Sequence, residues 1–125
     1  MKIKKVFLIF AFTAVLIIAL LYGVDPQWFG QTFLNIPALD PNIAHILRAV
    51  MGLYIALGLF WLYAVFHPIY INQALITVIL FSGGLVTGRI ISLFIEGQPS
   101  PLLTLYILME FLLTPIAFWV YKIKD

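Results

Sequence analysis

The chain has 125 residues, of which 64% are hydrophobic and 10% are charged, and its formal net charge is +2. A soluble domain contains about 25% charged residues, and a core of this size cannot hide so much apolar surface, so we expect the surrounding solvent to be lipid. The sequence has no cysteine, which excludes disulfides, thiolate metal sites and cysteine nucleophiles. The lysines lie near the two chain ends rather than in a patch that would bind nucleic acid.

Four apolar segments predict four transmembrane helices, at about residues 6–24, 41–66, 72–95 and 101–121. Each is close to the ~20 residues that a helix needs to cross the hydrocarbon core of a bilayer. None shows the strict alternation of a membrane β-strand. We therefore predict an all-α fold, an antiparallel four-helix bundle in the membrane that forms a single domain over residues 1–125.

Basic residues predict the orientation of the bundle. Lys2, Lys4 and Lys5 precede the first segment, Lys122 and Lys124 follow the last, and the loops between hold no lysine or arginine. The positive-inside rule then places both chain ends in the cytoplasm. The first apolar run lacks a following small-residue cleavage site, so we expect an anchor helix rather than a signal peptide.

Three pairs of a capping residue and a proline mark the starts of helices: Asp25-Pro26, Asp40-Pro41 and Ser100-Pro101. The first pair predicts a short helix in the membrane interface through about residue 35, although an ordered loop fits the same residues. Trp28 on one side of the membrane, and Trp61 and Trp119 on the other, are typical of aromatic belts.

Three charged residues lie inside the predicted spans: Arg48, Arg89 and Glu110. A charge in the membrane is costly unless it is paired or hydrated, so each of them needs a partner. At the rise of an α-helix, all three lie roughly 10–13 Å from the outer ends of their helices. Because these helices alternate in direction, the common depth predicts one shared polar site in the outer half of the bilayer.

Polar residues at helical spacing from these charges extend the predicted site: His45, Ser92, Glu96 and Tyr106. Small residues on the same helices predict close helix packing: Gly52, Gly84 and Gly88. Pro115 cannot donate a backbone hydrogen bond, so we expect a kink near Glu110 that widens the bundle there.

Two interpretations of the three charges stay open. In the first, Arg89 meets Glu110 and Arg48 shares the cavity, so a formal sum of +1 and the nearby helix N-termini favour an anionic group. In the second, Arg89 and Glu110 form a structural pair that fixes helix register, while Arg48 reaches Asp40 or Glu96 at the surface.

The sequence offers no pattern for catalysis, a metal or a cofactor. The two histidines fall on opposite sides of the predicted membrane, so they cannot share a metal or a haem. Glu110 is the one acid deep in a span, which leaves no carboxylate pair. We therefore predict no catalytic residue, no metal ligand and no cofactor.

A GR-x-x-S motif at residues 88–92 precedes a G-x-P-S-P turn at 97–101, and Glu110 and Pro115 follow. This pattern resembles a bacterial family of small four-helix integral membrane proteins that is described as a domain of unknown function, over roughly residues 42–122. The resemblance implies a bacterial inner membrane and marks Arg48, Arg89, Ser92 and Glu110 as characteristic positions, and it implies no activity. The architecture is more loosely similar to DoxX-like proteins, some of which accompany quinone-linked oxidoreductases.

We expect a non-catalytic membrane protein whose buried Arg48, Arg89 and Glu110 bind an anionic or amphipathic small molecule, such as a lipid or a quinone-like head group, or support a partner subunit. The expected partners are membrane lipids, other membrane subunits or further copies of the chain. An oligomeric transporter or channel protomer is the alternative, with the glycines of the third span at its interface. A lipid-modifying enzyme that uses Glu110 or His45 as acid or base is a third hypothesis.

Overall fold

The computed structural model describes residues 2–99 and 101–123, and five α-helices account for most of them. The helices are α1 (Lys2–Gly23), α2 (Pro26–Phe33), α3 (Pro41–Phe66), α4 (Ile71–Ile95) and α5 (Pro101–Lys122), with a 3₁₀ turn at Pro68–Tyr70 before α4. All except α2 are long and apolar enough to cross a membrane, by length and composition. This confirms the predicted all-α fold with four membrane-length helices.

The helix starts follow the capping residues where the structure describes them. An Asp25 carboxylate oxygen accepts a hydrogen bond from the Trp28 backbone N–H at 3.2 Å, so α2 is the short helix rather than the ordered loop. Asp40 caps α3 in the same way through the N–H of Asn42, at 2.8 Å. The predicted cap at Ser100 lies outside the described residues.

The N-terminal lysines lie inside α1, which begins at Lys2 rather than near residue 6. Lys4 is buried, with 6% of its surface exposed, and its ammonium group donates a hydrogen bond to Asn72 Oδ1 at 3.0 Å. This contact ties the start of α1 to the start of α4. The helix extends further than predicted because lysine is a good helix former and Lys4 has a partner within the bundle.

The four long helices associate as two tight pairs. Helix α1 packs most extensively on α3, and α4 on α5, while contacts between the two pairs are sparser. Gly58 lets α1 approach α3, because a Cβ atom at that position would lie 2.9 Å from Val15 Cγ1. Gly23 serves the same pair at the other end, where an added Cβ would collide with the side chain of Met51.

The three glycines that were predicted to pack helices together do not lie at contacts between helices of this chain. Gly52, Gly84 and Gly88 face open space, since no described atom of another helix lies within 4 Å of the position that a Cβ would take. The predicted packing role is therefore wrong for contacts between helices of this chain. Spacing identified small residues, but the rotation of each helix about its axis decides which glycine meets a neighbour, and that depends on packing.

Two hydroxyl-containing contacts also join helices inside the bundle. Thr114 on α5 donates to the Ser82 hydroxyl on α4 at 2.8 Å. Trp61 on α3 donates its indole N–H to Thr77 Oγ1 on α4 at 2.9 Å. Trp61 is only 1% exposed, so its predicted place in an aromatic belt is wrong, whereas Trp28 and Trp119 are exposed.

Candidate functional site

Arg89 and Glu110 meet between α4 and α5, as their common depth predicts. Arg89 Nε lies 3.5 Å from Glu110 Oε2, and the two side chains are 23% and 12% exposed. Neither of these two atoms has a hydrogen-bond partner in the described chain. The pair thus provides charge compensation across the helix interface, although these two buried atoms make no hydrogen bond with each other.

Three tyrosines surround the ion pair. The Tyr22 ring, at the end of α1, packs edge-on against the rings of Tyr54 and Tyr106, with centroids 6.1 and 5.9 Å away. The phenols of Tyr22 and Tyr54 lie close enough to Arg89 and Glu110 for electrostatic interaction with both charges. The three tyrosines and the ion pair therefore form a polar cluster within apolar surroundings in the bundle interior.

Tyr106 is the most deeply buried tyrosine of this cluster, and its hydroxyl makes no hydrogen bond with the described chain. Only 4% of the residue is exposed, and its hydroxyl has no hydrogen-bond partner among the described residues. Tyr106 lies four residues before Glu110 on α5, so both side chains project from the same helix face. An unsatisfied buried hydroxyl costs about 1–3 kcal/mol, which a bound molecule could offset.

A long apolar cavity of about 340 Å³ lies beside this cluster. It extends along α1 from Phe7 to Tyr22, a length of roughly 22 Å at the rise of an α-helix. Glu110 and Tyr106 form part of its wall, and Glu110 is the one charged residue among the described residues that line it. The lining also includes exposed side chains of α1 and α5, such as Phe10 and Leu112, so the cavity opens to the lipid side between those helices.

A second cavity of about 200 Å³ lies on the other side of the ion pair, under the turn between α4 and α5. Arg89, Ser92, Glu96 and Gln98 contribute polar groups to its lining. Gly97 holds a φ of +84° there, a conformation that favours glycine and ends α4. Arg89, Ser92 and Glu96, which were predicted to share a helix face, therefore all line this second cavity, whereas Glu110 lines the apolar cavity.

Arg48 and His45 do not join this site. Both are exposed on the first turns of α3, and neither lines either of the two cavities. No hydrogen bond or ion pair joins Arg48 to another residue in the part of the chain that the structure describes. The prediction that Arg48 shares a cavity with the pair is wrong, because α3 packs on α1 through its opposite face. The formal charge of the Arg89–Glu110 pair is zero, whereas the predicted set of Arg48, Arg89 and Glu110 summed to +1.

Sequence reasoning missed two members of the cluster, Tyr22 and Tyr54. The chain has 6 tyrosines, and no spacing to another polar residue distinguishes these two from the rest. Tyr22 does lie next to the end of the first span, at the same end of the bundle as Tyr106, against which its ring packs. Within residues 2–99 and 101–123, no group of three His, Asp or Glu side chains is placed to hold a metal ion.

The fold and the buried ion pair define a helical membrane protein with four membrane-length helices and a polar cluster next to an apolar cavity. The chain belongs to the family described as Domain of unknown function (DUF4345), which it matches over residues 3–121. The match thus includes the first helix, beyond the range of the resemblance found in the motifs. No curated protein and no solved structure matches the chain significantly.

Proposed function

We propose that this protein is a non-catalytic component of a bacterial inner membrane that binds an amphipathic small molecule, lipid-like or quinone-like. The polar part of that molecule would lie against Glu110 and Tyr106, and its apolar part in the 340 Å³ cavity. Both chain ends would lie in the cytoplasm, which places the site in the outer half of the bilayer.

One observation supports this proposal above the others. The Arg89–Glu110 pair and Tyr106 have three buried polar atoms without partners among the described residues, and two of these residues, Glu110 and Tyr106, also line the apolar cavity that opens to lipid. A purely structural ion pair is expected to satisfy its own hydrogen-bonding groups, because the cost of leaving them open is high in a dry interior. Cavities of this size with a few convergent polar groups are typical of small-molecule sites.

The test is native mass spectrometry of the protein extracted gently from its own membrane. We expect a defined extra mass on the wild type that is lost in the double variant Arg89→Leu/Glu110→Leu. This variant removes both charges together and so leaves no unpaired buried charge to unfold the bundle. Arg48→Leu is the matched control, because it removes an arginine at similar depth that lies outside the cavity.

Two results would contradict the proposal. One is the wild type carrying no defined mass, and the other is the folded double variant carrying the same molecule as the wild type. Loss of the mass in Arg48→Leu alone would instead place the binding site on α3.

A role as an accessory subunit is a second candidate, and the exposed face of α3 favours it. Arg48 and His45 lie on this face within a membrane-length helix, and Gly52 follows on the same stripe, open to close approach. An unpaired arginine facing lipid is costly, so another membrane protein could provide its partner. Other polypeptides at fixed stoichiometry in the same mass spectra would support this role, and a lone chain would oppose it.

A further inference from the structure

Two exposed residues of opposite charge lie toward the same end of the bundle, Arg48 near the start of α3 and Glu96 directly after the end of α4. We propose that two copies of the chain, inserted in the same orientation, associate as a two-fold symmetric dimer through the exposed faces of α3 and α4. In this dimer, Arg48 of each copy pairs with Glu96 of the other. The inference does not depend on the ligand proposed above.

Arg48 is the charge that needs a partner. It lies on the second turn of α3, about 10 Å from the start of a membrane-length helix. It is exposed, and no ion pair or hydrogen bond joins it to any residue within 2–99 and 101–123. An arginine at this depth on a lipid-facing helix is costly until it pairs with an acid or reaches water.

Glu96 is the matching acid. Its carboxylate has no partner in the described part of the chain, since the bond from Glu96 to Ser92 uses the backbone N–H. Side chains of a helix lean toward its N-terminus, so Arg48 leans toward this end of the bundle and Glu96 leans back along α4. The two charged groups are therefore closer in depth than their Cα atoms.

The surfaces around the two charges are uncovered in the single chain. Every residue from 90 to 98 is exposed, so no face of the last turns of α4 is buried. Gly52 lies one turn after Arg48 and Gly88 two turns before Glu96, and an added Cβ at either glycine would meet no atom of another helix within 4 Å. Helices of a neighbouring molecule can therefore approach both backbones closely.

Charge complementarity selects a second copy as the neighbour. Copies in one orientation keep Arg48 and Glu96 at the depths that the fold sets, so each copy offers the acid that the other needs. A two-fold axis along the membrane normal repeats the contact, which gives two ion pairs and no net charge from these four groups. A different subunit would have to provide both an acid and a base at the same two depths.

The test reverses the charges on separate chains. Arg48→Glu and Glu96→Arg carry different affinity tags and are expressed alone and together, and native mass spectrometry of polymer-bounded nanodiscs counts the chains. We expect a dimer for the wild type and association at least tenfold weaker for each variant alone, because like charges then meet at both contacts. Together the two variants should form a mixed dimer as readily as the wild type, since opposite charges meet again at both contacts.

Lys2→Glu is the matched control, because it reverses an exposed charge at the opposite end of the bundle and should leave the dimer intact. Cross-linking covers the case in which a charge reversal prevents folding. The chain has no cysteine, so Arg48→Cys on one tagged chain and Glu96→Cys on the other provide one thiol each and keep one native ion pair. A short bismaleimide should join these two chains, whereas Arg48→Cys with Lys2→Cys should stay unlinked.

Five results would overturn the proposal. The wild type could be a single chain or a larger assembly, or it could hold other polypeptides at fixed stoichiometry in place of a second copy. Folded single variants could dimerise as the wild type does, which would show that the two charges do not lie at the contact. Mixed dimers could be no more abundant than dimers of either variant alone, or the two thiols could fail to cross-link.

Discussion

The Thr114 hydroxyl donates a 2.8 Å hydrogen bond to the Ser82 hydroxyl, which joins α5 to α4 at a separate level of the bundle from the Arg89–Glu110 pair. Ser82 is fully buried, and its own hydroxyl donates a hydrogen bond to the carbonyl oxygen of Val78 at 2.8 Å. Two polar contacts at different heights along the helices therefore join α4 to α5: this hydrogen bond and the ion pair. The register between the two helices does not depend on the ion pair alone.

We predict that Thr114→Val lowers the stability of the α4–α5 pair by about 1 kcal/mol, the usual size of a hydrogen bond between membrane helices. Thr87→Val is the matched control, because Thr87 is exposed and bonds only to the Gly83 carbonyl of its own helix. Thermal unfolding in detergent measures both variants. Equal losses in the two variants would show that the contact between the helices contributes nothing of its own.

The close approach of α1 to α3 at Gly58 gives a second prediction. Gly58→Leu should destabilise the protein by about 2 kcal/mol or more, because an added side chain meets Val15 and Phe12. Gly52→Leu lies on the same helix but faces open space, so it should leave the stability of the purified chain nearly unchanged. Folded yield and melting temperature report both effects. Comparable damage from Gly52→Leu would reveal a neighbour at that face.

The buried Lys4 gives a third prediction. Lys4→Met should cost about 2 kcal/mol, because it breaks a hydrogen bond from a charged group and leaves Asn72 without that donor. Lys2→Met removes the same charge from an exposed position, so any effect on membrane orientation is common to both variants. A lower melting temperature for Lys4→Met alone is the expected result. If both variants unfold alike, the contact is not a stabilising one.

The orientation of the chain gives a fourth prediction, and the absence of cysteine makes the test direct. Thr32→Cys on α2 and Ile69→Cys in the turn before α4 both place a thiol at an exposed position. With both chain ends in the cytoplasm, an impermeant maleimide should label Thr32→Cys in intact spheroplasts and Ile69→Cys only after lysis. The reverse pattern would invert the topology and move the site to the inner half of the bilayer.

Much of the fold could be predicted because length and composition alone identify a membrane helix. The pairing of Arg89 with Glu110 was also predictable, since helix rise converts residue number into depth and the two charges share a depth. Depth does not give rotation about the helix axis. Arg48 has the same depth but points away from the pair, because the contact of Gly58 with Val15 sets the rotation of α3.

The burial of Trp61 could not be predicted for the same reason. Every face of these helices is apolar, so the hydrophobic pattern that reveals the inner face of a soluble helix is weak here. A tryptophan near a span end fits an aromatic belt or a core equally well until a partner such as Thr77 is known. The places of Tyr22 and Tyr54 in the cluster could not be predicted either, because tyrosine occurs both at the membrane interface and in a buried core.

The position of α2 bears on the route by which a molecule could enter or leave the apolar cavity. The Gln27 side chain both donates to and accepts from the Leu39 backbone, and Phe29 packs edge-on against Tyr22 with ring centroids 4.9 Å apart. Phe29 of this short helix thus packs against Tyr22, which lines the apolar cavity, while the side between α1 and α5 is open to lipid. If a compound binds there, it would enter from the bilayer, so its occupancy would depend on its mole fraction in the bilayer rather than on its concentration in water.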